Sequence, residues 1–202
     1  MSTQENPGRV ISPEARIVQR PHLFEPRTEM NGKPQTPKFE LTMAFEPDDI
    51  GAMKAAAVAV AKAKWPGRDL KGMKFPFKRG DVVNQKREEK GKKPYPAYAG
   101  KIILAAKSGE DRPPEVIGPD GKEMPRVRAK DIYSGCYGFA VLNFSAYEGS
   151  EEDGVTTYLN GFGKSRDGDR IGGGDARTLL AGVLGKNSNE DPTEGLDDEI
   201  PL

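Results

Sequence analysis

Two basic stretches in the middle of the sequence carry aromatic residues between their charges. One runs from Lys74 to Arg79 (KFPFKR) and the other from Lys92 to Tyr98 (KKPYPAY). Single-stranded nucleic acid presents phosphates and unstacked bases together, so a protein that binds it needs cations for the backbone and flat rings for the bases. The alternative is that each ring anchors a loop to the core while the lysines are only solvated. The pattern therefore favours nucleic-acid binding and leaves the role of each single ring open.

Neighbouring stretches add candidates to this interface. Arg126, Arg128 and Lys130 occupy alternate positions, so on a strand they would face the same way. Tyr133 and Tyr137 would likewise share one face of a long strand and extend a stacking surface. The candidate DNA-binding residues are Lys74, Phe75, Phe77, Lys78, Arg79, Lys92, Lys93, Tyr95, Tyr98, Lys101, Arg126, Arg128, Tyr133 and Tyr137.

Enzymatic chemistry finds little support. With one cysteine and one histidine, the chain offers neither a His/Cys zinc cluster nor a nucleophile–base pair. We expect no catalytic activity, no metal and no cofactor. The enzyme alternative that stays open is a metal-dependent nuclease or strand-processing enzyme that uses Asp167, Asp169 and Asp175. A third alternative is an adaptor whose basic face binds only an acidic protein.

The net charge of zero conceals a division along the chain. From Lys54 to Lys130 there are 20 Lys and Arg against 9 Asp and Glu, whereas from Glu148 to Leu202 there are 5 against 13. A basic body with an acidic end suggests a polyanion-binding surface beside an interaction segment. The apolar run Ala55–Ala61 is far shorter than a membrane span, and the chain starts without a secretory pattern. We expect a cytoplasmic protein that does not bind membranes.

The elements that must position these residues are mostly strands. The longest is predicted over Asp131–Tyr147, with its glycines allowing a bend, and other strands over Arg9–Gln19, Lys38–Phe45, Tyr98–Lys107 and Gly154–Phe162. A hairpin is predicted over Pro114–Met124, and turns or loops over Pro21–Pro37 and Arg68–Pro96. Helices are predicted from Asp48 to Lys64 and over Asp175–Leu184.

Short strands at close intervals with one covering helix predict a mainly β fold, an OB-fold-like small antiparallel barrel with long basic loops. We expect residues 1–8 to be disordered, residues 9–186 to form the domain, and residues 187–202 to be a flexible acidic tail. Residues 187–202 contain six acids and no Lys or Arg. Such a segment buries too little apolar surface to fold alone.

The acidic tail ends in apolar residues that would gain nothing from solvent. Its carboxylates can mimic phosphate on a basic groove, while the apolar side chains can dock in a partner's pocket. The predicted partner-binding residues are Asp197, Asp198, Glu199, Ile200, Pro201 and Leu202. Because tail and groove are complementary, a homodimer that exchanges tails is also consistent with the sequence.

Several short motifs occur in a characteristic order between residues 95 and 175. They are Tyr98-Ala99-Gly100-Lys101, Ala105-Ala106-Lys107-Ser108, Arg112-Pro113, Pro119-Asp120-Gly121, Tyr133-Ser134-Gly135-Cys136-Tyr137, Gly154-Val155, Leu159-Asn160 and Asp167-Gly168-Asp169-Arg170. In this order the chain resembles a family of phage single-stranded-DNA-binding proteins related to the T7 type. The resemblance implies an OB fold, binding of single strands without sequence preference, and a tail that contacts replication or recombination proteins.

The tail resembles that of bacterial single-stranded-DNA-binding proteins, in which an acidic run precedes Ile-Pro-Phe. Here the final residue is Leu202, not phenylalanine. The chain departs from the pattern at the residue that would enter a partner's ring-lined pocket.

Overall fold

The computed structural model describes residues 6–30, 32–150 and 152–172. These residues form nine strands and two α-helices, with 3₁₀ helices at Pro96–Tyr98 and Arg126–Asp131. In chain order the elements are β1 (Arg9–Ile11), β2 (Ala15–Ile17), β3 (His22–Met30), β4 (Lys33–Phe45), α1 (Gly51–Lys64), β5 (Phe77–Arg79), α2 (Gly80–Glu88), β6 (Ile102–Gly109), β7 (Glu115–Ile117), β8 (Tyr137–Tyr147) and β9 (Gly154–Arg166).

Five of the strands close into a ring. β2 pairs with β4, β4 with β6, β6 with β9, β9 with β8, and β8 returns to β2. All these pairings are antiparallel except that of β6 with β9, which is parallel and joins Lys107 to Tyr158. β1, β3, β5 and β7 each pair with one strand of the ring. A five-stranded, partly open barrel is the architecture of the OB fold, so the predicted fold class is confirmed.

The alternation of β4 shows how the sequence fills the barrel. Phe39, Leu41, Met43 and Phe45 occupy every second position, and all four are buried. Three of them, from Leu41 onward, join the main hydrophobic cluster with residues of α1, β6, β8 and β9. Full burial of such a side chain contributes about 1.5–3 kcal/mol. This strand was predicted correctly at its core end, although it begins earlier, at Lys33.

Helix α1 packs on the barrel as predicted. Met53, Ala57 and Ala61 recur at helical spacing and are fully buried in the main cluster, where α1 contacts β1, β8 and β9. The helix ends at Lys64, the Trp65 N–H donates to the Ala61 carbonyl oxygen at 2.9 Å, and the Pro66-Gly67 pair that follows stops the helix.

A second, smaller cluster lies on the outer side of β4 and β6. Ala44 and Ile103 are paired across these strands and are buried together with Val18 and Tyr98, and Val83 of α2 packs against them. The 3₁₀ helix at Pro96–Tyr98 and α2 therefore cover this part of the barrel surface.

The predicted long strand over Asp131–Tyr147 is wrong in its first part, because β8 begins only at Tyr137. Gly135 has φ of 119°, a conformation that L side chains rarely adopt, and a Cβ there would lie 2.0 Å from the Asp169 carbonyl oxygen. The segment after β9 crosses at this point, where the Ile171 N–H donates to the Ser134 carbonyl oxygen at 2.8 Å.

The predicted alternation of Arg126, Arg128 and Lys130 along a strand is also wrong. These residues lie in the 3₁₀ helix Arg126–Asp131, which repeats every three residues and turns their side chains in different directions.

Two predicted loops contain regular structure. The turn-rich stretch Pro21–Pro37 holds β3 and the start of β4, which pair as an antiparallel hairpin. The loop predicted over Arg68–Pro96 holds β5 and α2, and α2 is a helix that the sequence did not predict.

The hairpin predicted over Pro114–Met124 is confirmed, since the Met124 N–H donates to the Val116 carbonyl oxygen at 2.7 Å. The predicted helix Asp175–Leu184 and the tail 187–202 lie outside the described residues, so the domain boundaries stay predictions. In the described part of the chain, no helix is long and apolar enough to cross a membrane.

Candidate nucleic-acid interface

Three of the predicted stacking rings pack inward. Phe75 and Phe77 lie against the main hydrophobic cluster, and the ring centroids of Phe77 and Phe144 are 5.7 Å apart. Tyr98 is only 2% exposed, and its hydroxyl accepts a 2.5 Å hydrogen bond from Gln19 Nε2. Burial also raises the pKa of Tyr98. These rings anchor their segment to the barrel, with Tyr98 buried and Phe75 and Phe77 partly buried, as in the packing alternative that the sequence left open.

Tyr95 is held on a projection made of β5, α2 and the chain that returns from α2, which we call the α2 projection (residues 77–95). The Asn84 side chain bonds both the N–H and the carbonyl oxygen of Tyr95, at 2.8 and 2.9 Å. The Arg87 guanidinium carbon lies 3.7 Å from the centroid of the Tyr95 ring, while its Nε donates to the Lys93 carbonyl oxygen. The Tyr95 ring is thus partly covered and is 36% exposed.

The predicted cations fall into two groups. Four of them pair with carboxylates: Lys74 with Glu152, Lys101 with Glu46, Arg126 with Glu25 and Arg128 with Asp131. The other four are exposed on the α2 projection and have no acidic partner among the residues that the structure describes: Lys78, Arg79, Lys92 and Lys93. The α2 projection therefore carries the four predicted cations that are available to bind phosphate, because no carboxylate of the described residues pairs with them.

Tyr133 and Tyr137 do not share a strand face, since only Tyr137 lies in β8. Each ring is half-buried under a guanidinium: the Arg166 carbon is 3.6 Å from the Tyr137 centroid, and that of Arg170 is 3.9 Å from the Tyr133 centroid. The Tyr133 hydroxyl donates to Asp167 at 2.8 Å, and burial together with this bond raises the pKa of Tyr133.

Two exposed rings on the outer face of β8 and β9 were missed by the sequence analysis. Phe139 of β8 is 42% exposed and Tyr158 of β9 is 48% exposed, whereas Leu142 and Leu159 on the inward positions are buried. The register places Tyr158 beside Asn143, which lies four residues, or about 13 Å, along β8 from Phe139. We call Phe139 and Tyr158 the outer rings.

A signal for the outer rings was present in the sequence. In FAVLNF, residues 139–144, the inward positions of the strand are Ala140, Leu142 and Phe144, so Phe139 falls on the outward set. An aromatic residue on the solvent side of a half-buried strand is the informative case, because core packing does not account for it.

Basic residues flank the outer rings. In the pairing register Tyr158 lies beside Lys107 of β6, and Arg166 lies beside Tyr137 at the other end of the same face. Lys107 Nζ donates to Glu40 at 2.6 Å. The Lys107 side chain is 44% exposed, whereas Glu40 is only 14% exposed and is also paired with Arg27, so Lys107 would meet a phosphate with its remaining N–H groups while keeping this ion pair.

The surface of β9 next to Phe139 is bare. Gly163 lies between Phe139 of β8 and Ile117 of β7, and a Cβ added there would meet nothing within 4 Å. Gly161 lies beside Val141 two pairs further along. Glycine inside a strand often marks a place where a ligand approaches the backbone closely. A flat base has room here against the Phe139 ring.

The acids of the nuclease alternative have other roles in the structure. Asp167 accepts a 2.7 Å hydrogen bond from Lys164 Nζ, which lowers the pKa of Asp167. Asp169 contacts Arg16 only through its backbone, since its carbonyl oxygen accepts from Arg16 Nη2 at 2.6 Å, and Asp175 lies outside the described residues. Within ranges 6–30, 32–150 and 152–172, no three His, Cys, Asp or Glu side chains are grouped to hold a metal ion.

The barrel has five strands, and its outer face carries exposed rings and cations. These features define the class of the molecule, which is an OB-fold protein that binds unpaired nucleic acid. The family follows from the sequence match. Residues 9–180 match the family model of the Enterobacter phage Enc34 ssDNA-binding protein. The chain belongs to this family of phage single-stranded-DNA-binding proteins, and the resemblance seen in its motifs is confirmed.

Solved structures share the fold. The single-stranded DNA-binding protein from bacteriophage Enc34 in complex with ssDNA has a TM-score of 0.64 and 21% identity, covering 85% of this chain and 97% of its own. Its C-terminal truncation has a TM-score of 0.62 and 21% identity, covering 85% and 95%. The single-stranded DNA binding protein gp2.5 of bacteriophage T7 has a TM-score of 0.51 and 13% identity, covering 82% and 98%. No curated protein sequence matches the chain significantly.

Proposed function

We propose that this chain coats single-stranded DNA without sequence preference during phage DNA replication, recombination or repair in the host cytoplasm, and that it is not an enzyme. The observation that carries the proposal is the exposure of the outer rings, Phe139 and Tyr158, on the face of an OB barrel. Every base has a flat face, so stacking on such rings is worth about 1–3 kcal/mol per base whatever the sequence. Family membership supports the same function.

In this proposal the strand crosses the outer face of β8 and β9, with bases on the outer rings and phosphates near Arg166 and Lys107. The α2 projection supplies further cations, because β5 pairs with β6 and so brings Lys78 and Arg79 to the same barrel. A duplex hides its bases from such rings, so we expect single strands to bind more tightly than double strands.

The deciding experiment measures fluorescence anisotropy of a labelled single-stranded oligonucleotide and of the matching duplex. Replacing both outer rings (Phe139→Ala with Tyr158→Ala) should weaken single-strand binding about tenfold to a hundredfold, since up to two stacked bases are lost. The control is Val127→Ala, which removes an exposed apolar side chain that is not aromatic, from the 3₁₀ helix Arg126–Asp131. Binding of the double variant at wild-type strength would place the interface elsewhere, and absence of binding by the wild type would reject the function.

Two alternatives are resolved with the same oligonucleotides. Incubation with Mg²⁺ or Mn²⁺ should leave the labelled strands intact, whereas cleavage would support a nuclease. A protein that shifts neither single nor double strands would instead fit the adaptor alternative.

We also propose that the acidic segment 187–202 recruits replication or recombination proteins and competes with DNA for the basic surface. The support is its sequence, with six acids followed by Ile200, Pro201 and Leu202. Removal of residues 187–202 should tighten DNA binding and weaken partner capture; a truncation that changes neither would remove this role. Exchange of these segments within a homodimer would appear in light scattering as a doubled mass that the truncation lowers.

A further inference from the structure

Three donors on β9 converge on one carboxylate. Arg166 donates from Nη2 and Nε to Glu14 Oε2 at 3.0 and 3.2 Å, and Ser165 Oγ donates to Glu14 Oε1 at 2.6 Å. Glu14 lies between β1 and β2, so this contact joins distant parts of the chain. The bond from Ser165 and those from Arg166 lower the pKa of Glu14 from its usual 4.5, because they stabilise the ionised carboxylate.

The same guanidinium lies on an aromatic ring of the candidate interface. Arg166 is 3.6 Å from the centroid of Tyr137, and Arg16 is 5.8 Å from the same centroid on the neighbouring strand. The pairing register puts Arg16, Tyr137 and Arg166 in one row across β2, β8 and β9. Phe139 follows Tyr137 on the outward positions of β8.

A carboxylate and a phosphodiester present the same feature to arginine, which is a pair of oxygens spaced to accept the two N–H groups of the guanidinium fork. The site made by Arg166 and Ser165 is thus a preformed cradle for a two-oxygen anion. It lies beside Tyr137, two residues along β8 from Phe139, where a strand stacked on Phe139 would present a phosphate.

We propose that Glu14 occupies a phosphate site of the interface, and that a backbone phosphate of single-stranded DNA displaces its carboxylate from Arg166 and Ser165. The inference rests on the proposed function and adds to it a named anion site and an internal competitor. Both side chains are substantially exposed, at 54% for Arg166 and 35% for Glu14. Exposed ion pairs add little to stability, so the exchange costs the fold little. Glu14 then keeps Arg166 oriented while moderating the affinity for DNA.

The test is Glu14→Gln, which keeps the shape of the side chain and removes its charge. At low salt the variant should bind a single-stranded oligonucleotide about threefold to fivefold more tightly than the wild type. Its plot of log K against log salt should be steeper by about 0.7, because in the wild type the freed Glu14 carboxylate takes up a cation that offsets one of those released by the DNA.

Glu148→Gln is the matched control, because it removes a carboxylate from another exposed ion pair, that of Glu148 with Lys64 at 3.2 Å. This control measures the general effect of one negative charge fewer. Arg166→Gln completes the comparison: it should weaken binding more in the Glu14→Gln background than in the wild type, where Glu14 already neutralises the guanidinium. Thermal unfolding of each variant verifies that it is folded.

The outcomes distinguish failure of the proposed function from failure of the phosphate site. If the wild type fails to bind single strands, the proposed function is rejected. If the wild type binds but Glu14→Gln behaves like Glu148→Gln, or Arg166→Gln has the same effect in both backgrounds, only the phosphate site is rejected.

Discussion

The ring of Phe77 packs against the ring of Phe144, with centroids 5.7 Å apart and planes inclined at 42°. Phe77 begins β5, and Phe144 is buried in β8, so this contact fastens the α2 projection to the barrel core. Phe77→Ala should lower the free energy of unfolding by about 2 kcal/mol, less than the 3–5 kcal/mol of a fully buried phenylalanine because Phe77 is half-buried. Denaturant unfolding measures the loss.

The affinity of the folded Phe77→Ala protein for single-stranded DNA should stay within about twofold of wild type, since the ring contacts the core and not a base. If the Phe77→Ala variant kept wild-type stability but lost its affinity for single-stranded DNA, Phe77 would belong to the interface.

The structure supports predictions that rest on local periodicity. Strand alternation identified the buried side of Lys38–Phe45, and alanine spacing with the Pro66-Gly67 stop identified α1. Helix α2 was missed because it is short and charged, and Gly80 is its only buried residue, so no apolar face marks it in the sequence.

The direction of the aromatic side chains could not be predicted from local sequence. In the sequence, Phe75 and Phe77 are flanked by lysines, as base-stacking rings would be. In the structure, tertiary packing places both rings against the main hydrophobic cluster. Whether a ring in a loop faces the core depends on the strand that the loop meets, and that pairing is set by residues far along the chain. Phe139, by contrast, lies within a regular strand, where alternation alone identifies its outward side.

A side chain added at Gly163, beside Phe139, should weaken DNA binding without lowering stability. Gly163→Val projects from an open position in a strand, where valine is favoured over glycine, so thermal stability should not fall. Single-stranded DNA should bind about tenfold more weakly, because the side chain takes the space of one stacked base. Thr28→Val, on an exposed position of β3, is the control for a valine on the solvent side of a strand. Equal affinities of the two variants would show that no base lies over Gly163.

Salt dependence tests the cations of the α2 projection. For about five contacted phosphates, the slope of log K against log salt should be near −3.5. Replacing Lys92 and Lys93 with glutamine should make the slope shallower by about 1.4, whereas the same change at Lys54 and Lys62 on α1 should leave it near wild type. Titrations at four or more salt concentrations give the slopes. Identical slopes for both double variants would exclude the α2 projection from the DNA path.

The pairing of His22 with Glu40 across β3 and β4 predicts how stability depends on pH. Burial, with Arg20 and Arg27 nearby, lowers the pKa of His22 below its usual 6.5. Burial raises the pKa of Glu40, but hydrogen bonds from Lys107 and Arg27 outweigh it and the net shift from 4.5 is downward. In both cases the unfolded chain binds its proton first as the pH falls.

The free energy of unfolding should therefore be constant above pH 6.5, decrease below it as the unfolded histidine becomes protonated, and decrease again below pH 4.5 through the Glu40 carboxyl. His22→Gln should abolish the first decrease and keep the second, because glutamine does not titrate. Denaturant unfolding at half-unit steps from pH 8 to pH 3 resolves the two windows. If wild type and His22→Gln lose stability equally between pH 6.5 and pH 5, the histidine is not the group that titrates there.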